Sequence, residues 1–180
     1  MIVSEERPIK NLVLIGFMGT GKSTVGQLLA EKLEWTFIDS DAALVSREGR
    51  SIPDIFSSDG EAYFRNAESR ALADILSRNR QVVATGGGAV LREENRQLMK
   101  GQGMVVALTA TAEAIIERVR QDTNRPLLQG DVEERVTSLL VERQPAYRFA
   151  DVTIDTTDLS AVSIVEMIAG LIEQKPLNEA

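Results

Sequence analysis

The chain has 180 residues, 43% of them hydrophobic and 26% charged, which suits one soluble globular domain with a well-buried core. It has no cysteine and no histidine, so disulfides, thiol nucleophiles, Cys/His metal sites and imidazole bases are excluded, leaving carboxylates as proton acceptors. A formal charge of −7 argues against general nucleic-acid binding, although 15 of the 20 basic residues are arginine, whose rigid fork suits local carboxylate or phosphate sites.

Residues 1–7 lack a basic region before an apolar stretch, so no signal peptide is expected, and no apolar run approaches the roughly 20 residues of a membrane span. The expected compartment is the cytoplasm. The first strand is predicted over 11–15, in Lys10-Asn11-Leu12-Val13-Leu14-Ile15. Gly16-Phe17-Met18-Gly19-Thr20-Gly21-Lys22-Ser23-Thr24 follows directly and opens a helix over 22–33. Strand, glycine-rich turn and helix in that order are what polyphosphate binding requires: the turn exposes successive backbone N–H groups, and the helix N-terminus adds its own. Lys22 can reach the outer phosphates and the Ser23 hydroxyl can ligate Mg²⁺. The loop leaves the phosphate acceptor open.

A second strand is expected over 35–38 and a helix over 41–48. Phe37-Ile38-Asp39-Ser40-Asp41 ends that strand with carboxylates at i and i+2, which share a side if the backbone stays extended. One could steady a metal's hydration shell and the other orient or deprotonate an acceptor hydroxyl; alternatively one simply caps the helix. Residues 39–78 form a polar helical insertion, with a helix over 60–78. Within it, Arg65 and Glu68 share a face at i,i+3, either as an ordinary surface pair or with Glu68 holding the Arg65 fork towards a substrate carboxylate. A third strand at 81–85 runs into Gly86-Gly87-Gly88, which marks an unusual turn or the close approach of a ligand to bare backbone.

Further elements are predicted as a helix over 92–100, a strand over 103–108, helices over 111–120 and 131–144, a strand over 151–154 and a helix over 160–173. Asp131 with Glu134 can form a capping box, whereas Thr111 with Ala114 lacks the acidic return. Residues 121–130 form either a mobile cover that excludes water or a plain surface connection, and 174–180 read as a frayed tail. Arg118, Arg125, Arg143 and Arg148 are each either solvated surface or candidates to stabilise charge on a transferring phosphate. Alternating strands and helices give an α/β fold with an open sheet covered on both faces.

Together these segments resemble the shikimate kinases, over about residues 11–172. The 16–24 loop looks like the family's Walker A, and Phe37-Ile38-Asp39-Ser40-Asp41 its Asp-x-Asp segment. Asp54-Ile55-Phe56, Gly60-Glu61 and Phe64-Arg65-Asn66-Ala67-Glu68 resemble its substrate-binding insertion. Gly86-Gly87-Gly88-Ala89-Val90 resembles the triple-glycine loop, Arg125-Pro126-Leu127-Leu128 the lid, and Glu142-Arg143-Gln144-Pro145-Ala146-Tyr147 the helix end after it. The resemblance implies a single P-loop kinase domain over 1–180, with a five-stranded parallel sheet in the order 2-3-1-4-5, a substrate-binding insertion at about 39–78 and a lid at about 121–130.

It further implies ATP-dependent phosphorylation of the 3-hydroxyl of shikimate in aromatic amino-acid biosynthesis, with Mg²⁺, by a monomer with no obligate protein partner. Gly19, Thr20, Gly21, Lys22, Ser23 and Thr24 would bind the ATP phosphates, Lys22 contacting the transferred group. Ser23 would bind Mg²⁺ directly, and Asp39 through water. Asp41 would bind shikimate hydroxyls and is the candidate base. Arg65 and Arg143 would hold the shikimate carboxylate, helped by Gly86, Gly87 and Gly88. Arg118 would lie against adenine, and Arg125 would reach the phosphates when the lid closes. Two departures stand out: Ala107, where relatives often carry tyrosine, bears on core packing, and the Thr156-Thr157-Asp158 turn is less distinctive. Two other classes compete: a gluconate or nucleoside-monophosphate type kinase, and a non-enzymatic nucleotide-gated domain. The Asn-Lys-x-Asp guanine-reading segment of a GTP switch does not occur.

Overall fold

The computed structural model describes residues 9–120 and 132–173. Five strands form one parallel sheet in the order β2-β3-β1-β4-β5, as the resemblance implies: β1 Asn11–Gly16, β2 Thr36–Asp39, β3 Gln81–Ala84, β4 Met104–Thr109 and β5 Val152–Asp155. Apart from Asn11 and Gln81 at their starts and Thr109 at an end, the central strands read as apolar runs because both faces are covered, and β1 is buried along its whole length. Alternation along β1 divides the core. Leu12 and Leu14 pack with Val25, Leu29, Ile164 and Ile168 beneath helices α1 (Lys22–Leu33) and α7 (Ala161–Glu173). Val13 and Ile15 face the opposite way, onto Leu72, Leu76, Val90 and Met99 from α3 (Ile52–Leu76), a 3-10 turn (Ala89–Leu91) and α4 (Glu93–Gln102). Ala107 is buried on this second face.

α1 has the predicted bounds. α2 is Ser40–Glu48, one residue earlier than expected, because Asp39 is its N-cap and accepts from the N–H groups of Asp41 and Ala42, both at 3.0 Å. The larger difference is α3. It begins at Ile52, not 60, with Ser51 accepting from the Asp54 N–H and Pro53 in the first turn. Gly60 (φ 80°, ψ 176°) breaks its regularity, so the helix is two segments meeting at a glycine that tolerates positive φ. Leu44, Ile55, Phe64, Ala67 and Ala71 give α2 and α3 a small core of their own.

α5 (Ala112–Arg120) is capped by Thr111, which accepts from the Ala114 N–H at 3.3 Å without an acidic return. α6 (Val132–Arg143) ends in a 3-10 turn, Gln144–Tyr147, which the sequence reading did not anticipate. The expected lid at 121–130, the Asp131 cap and the tail at 174–180 lie outside the described residues. Among the described residues no helix is long and apolar enough to cross a membrane.

Far from the C-terminal edge of the sheet, Asn11 is fully buried and bonds four ways. Its amide donates to the Arg78 and Gln102 carbonyls at 2.8 and 3.1 Å, and its carbonyl accepts from the backbone and side-chain N–H groups of Gln81 at 3.2 and 3.3 Å. Removing this side chain strands several buried groups, at about 1–3 kcal/mol each. Asn11→Ala should therefore lower stability by about 2–4 kcal/mol in urea unfolding; a loss under about 0.5 kcal/mol would mean that water replaces the amide.

Candidate active site

The loop between β1 and α1 is shaped by glycines where a side chain cannot go. At Gly16 (φ +146°) a Cβ would lie 2.2 Å from the Leu108 carbonyl oxygen, and Gly19 and Gly21 have φ of +76° and +93°. Gly21 is the N-cap of α1 and offers no side-chain acceptor, so the first N–H groups of α1 remain available to an anion. Lys22 folds back over the loop, its Nζ donating to the Gly16 and Phe17 carbonyls, both at 2.8 Å. Thr20 is buried, with its hydroxyl on the Phe17 carbonyl at 2.8 Å, so only its backbone can serve a ligand. Ser23 and Thr24 are exposed at the start of α1.

The ends of β2 and β3 bring acidic and bare-backbone groups up to this loop. The Ser23 hydroxyl donates to Asp39 Oδ2 at 3.4 Å while Asp39 Oδ1 caps α2. Capping and site readings of Asp39 are therefore compatible, one oxygen for each. The expectation that Asp39 and Asp41 share a side through an extended backbone does not hold, because Asp41 lies in the first turn of α2. The two carboxylates nevertheless interact. Burial, and then the charge of Asp39, push the Asp41 carboxyl above its ordinary value, while Lys22 and Arg65 oppose the shift. Among the described residues no three acidic side chains cluster to hold a metal. Ser23 Oγ and Asp39 Oδ2 do fit Mg²⁺, a hard ion that keeps several waters and takes its other oxygens from phosphates.

Each end glycine of the triplet lies against one charged side chain. A Cβ at Gly86 would meet Asp41 Oδ1 at 2.6 Å, and one at Gly88 would meet both terminal nitrogens of Arg65 at 2.6 Å. The Gly86 N–H donates to the Ser40 hydroxyl at 3.1 Å, tying the triplet to α2. Arg65 Nη1 donates to Glu68 Oε2 at 2.8 Å, with side-chain exposures of 14% and 4%, so this is no surface pair. Burial raises the Glu68 pKa, against the opposing charge and hydrogen bond of Arg65. Gly88 has φ −96°, which alanine accepts, and the atoms in its way are the end of a flexible side chain. Gly88→Ala should thus keep its melting temperature within about 4 °C yet displace the Arg65 guanidinium. Affinity for a carboxylate ligand of Arg65 should fall about tenfold, the worth of a charge-assisted contact, as isothermal titration would read; unchanged affinity would remove Arg65 from the site.

Arg143 closes the group from the end of α6. Its guanidinium lies over the Phe17 ring, 5.8 Å from the centroid, and its Nη1 is 3.5 Å from where a Gly87 Cβ would stand. Tyr147 donates to the Gly87 carbonyl at 2.9 Å. The sequence reading gave Tyr147, Ser40 and Phe17 no site role of their own; the tyrosine's place one turn beyond Arg143 was the available signal. Arg118 sits on the far side of the phosphate loop. It donates to the Gly19 carbonyl and the Thr156 hydroxyl, both at 3.2 Å, and to the Thr156 and Thr157 carbonyls at 2.8 and 3.2 Å. The Thr156-Thr157 turn is thereby fastened to the phosphate loop. Arg148 is exposed just past the 3-10 turn, and Arg125 lies outside the described residues.

Lys22, Asp39, Asp41, Arg65, Arg143 and the triplet therefore gather where β1, β2 and β3 end, the usual ligand edge of a parallel sheet. A phosphate cradle faces the half-buried Asp41 carboxylate and two guanidinium groups, which can bind an anionic acceptor and align a hydroxyl.

Comparison with known proteins gives a consistent result. The shikimate kinase family model matches residues 18–173. A shikimate kinase of Geobacter metallireducens is 45% identical over 172 residues, covering 95% of this chain and 96% of its own. The solved structure of a shikimate kinase from Acinetobacter baumannii in complex with shikimate superposes with a TM-score of 0.86 at 41% identity, over 92% of this chain and 94% of that one. A gluconokinase from Sinorhizobium meliloti reaches a TM-score of 0.61 at 22% identity, over 93% of this chain and 97% of that one, which shows a shared fold alone. On the family match and these identities, the chain belongs to the shikimate kinase family.

Proposed function

We infer that this protein transfers the γ-phosphoryl group of ATP to the 3-hydroxyl of shikimate, giving shikimate 3-phosphate and ADP in aromatic amino-acid biosynthesis. The observation that carries the reading is the convergence of Asp41, Arg65 and Arg143 on the glycine triplet beside the phosphate loop. Arg65 and Arg143 bind the shikimate carboxylate. Asp41 accepts hydrogen bonds from the ring hydroxyls and aligns the attacking oxygen, taking its proton as the new bond forms. Gly86, Gly87 and Gly88 let the acceptor approach the backbone. Lys22 leaves its carbonyl partners to meet the transferring phosphate, and the backbone of 19–24 holds the rest of the triphosphate.

Ser23, with Asp39 acting through water, holds Mg²⁺, which supplies charge neutralisation on the phosphate oxygens when bound. Arg118 flanks adenine, supported by its anchoring to the Thr156-Thr157 turn. The proposal also takes 39–78 as the acceptor-binding insertion of one kinase domain and 121–130, outside the described residues, as a lid carrying Arg125 to the phosphates. It takes the enzyme as a cytoplasmic monomer, where ATP and small metabolites meet.

ADP release measured with ATP, Mg²⁺ and one acceptor at a time tests this reading. Shikimate should support turnover, gluconate and AMP should not, and chelation of Mg²⁺ should abolish the rate. Equal turnover with gluconate or AMP would overturn it.

A further inference from the structure

One buried side chain outside the proposed chemistry joins the end of α6 to the glycine triplet. Tyr147 is 7% exposed, and its ring belongs to the core layer of Val13, Ile15, Ala89 and Val90. Its hydroxyl reaches across 60 positions of sequence to donate to the Gly87 carbonyl at 2.9 Å. Burial holds the phenol up to about 12, although Arg143 opposes the shift, so it remains a donor throughout the working pH range. Three consecutive glycines form the most permissive backbone available, and nothing in their own chemistry chooses one rotation of the middle peptide. Because a peptide is planar and trans, fixing the Gly87 carbonyl also fixes the Gly88 N–H on the opposite side. Arg143 lies one turn before Tyr147, with its guanidinium between the Phe17 ring and Gly87.

We propose that Tyr147 is a positioning residue for acceptor binding: its core-anchored hydroxyl sets the Gly87 peptide and holds the Arg143 helix end in register with it. The proposal rests on the reading of Arg143 and the glycine triplet as the shikimate-binding groups. Tyr147 touches no reacting atom. Its effect should appear in the affinity for the acceptor, and through Arg143.

Tyr147→Phe keeps the ring and removes the hydroxyl. KM for shikimate should rise about five- to tenfold, the range of one net hydrogen bond, with KM for ATP within about twofold. The melting temperature should fall only about 2–4 °C. In an Arg143→Ala background the added Tyr147→Phe change should cost under about twofold in kcat/KM, because the two residues act as a unit. An unchanged KM for shikimate, equal rises for both substrates, or full additivity with Arg143→Ala would each overturn the proposal. Failure of the unsubstituted chain to release ADP with shikimate is a distinguishable result: it would remove the acceptor reading itself and this inference with it.

Discussion

Asp41→Asn should lower kcat with shikimate by about 10²–10³-fold, the usual worth of a positioned general base, while KM for ATP stays within about twofold. Asparagine keeps the size of the side chain and its place above Gly86 but cannot take the proton of the attacking hydroxyl. Burial and Asp39 raise the Asp41 pKa above its ordinary 3.8. If the ionised form is required, kcat/KM should decline as pH falls through that raised value, and this acid limb should vanish in Asp41→Asn. Stability runs the other way. A carboxylate whose folded pKa exceeds its unfolded one contributes stability below about pH 3.8 that is lost as pH rises through the folded value. Asp41→Asn should therefore melt no lower than the parent at pH 8. Steady-state kinetics and thermal melts check both halves, and equal loss of ATP affinity and turnover would contradict an acceptor-side role.

Arg65→Ala should have the largest combined effect. It removes one of the two guanidinium groups proposed for the shikimate carboxylate, and it leaves Glu68, at 4% exposure, without its partner. Breaking a buried pair from one side costs about 3–5 kcal/mol. KM for shikimate should rise about 100-fold, or roughly 2.7 kcal/mol, in the range of a charge-assisted contact. Glu68 is already raised above 4.5 by burial, with Arg65 opposing the shift, so removing Arg65 should raise it further. The variant should therefore lose stability as pH rises and recover part of it under acid. Adding Glu68→Gln should restore melting temperature at pH 8 but not shikimate affinity. Restoration of both, or of neither, would contradict the assigned division of labour.

Much of this architecture could be read from local order. β1, the Gly16–Thr24 loop and α1 fall where predicted because strand, positive-φ glycines and helix start are encoded in consecutive residues. The sheet order followed from family resemblance, not from periodicity. Where tertiary contact decides, the sequence was less informative. Within the helical insertion expected at 39–78 the helix was placed from residue 60, yet Ser51 and Pro53 start it at Ile52 and it packs Ile55 against Leu44. Arg65 and Glu68 were identifiable as a pair, but their low exposure and the approach of the guanidinium to Gly88 are tertiary facts that nothing local reports. Asp39 and Asp41 were identified as a pair with the wrong geometry, since an N-cap turns the chain into α2 before the second carboxylate. The Tyr147 contact with Gly87 joins residues 60 positions apart and has no short-range signature.

This site joins the ATP γ-phosphate to one hydroxyl of shikimate. ³¹P NMR with mass analysis of a reaction containing the protein, ATP, Mg²⁺ and shikimate tests it most directly. The predicted result is one phosphate monoester on the 3-hydroxyl for each ADP formed. ADP release that does not depend on shikimate, or an ester on another hydroxyl, would contradict the account.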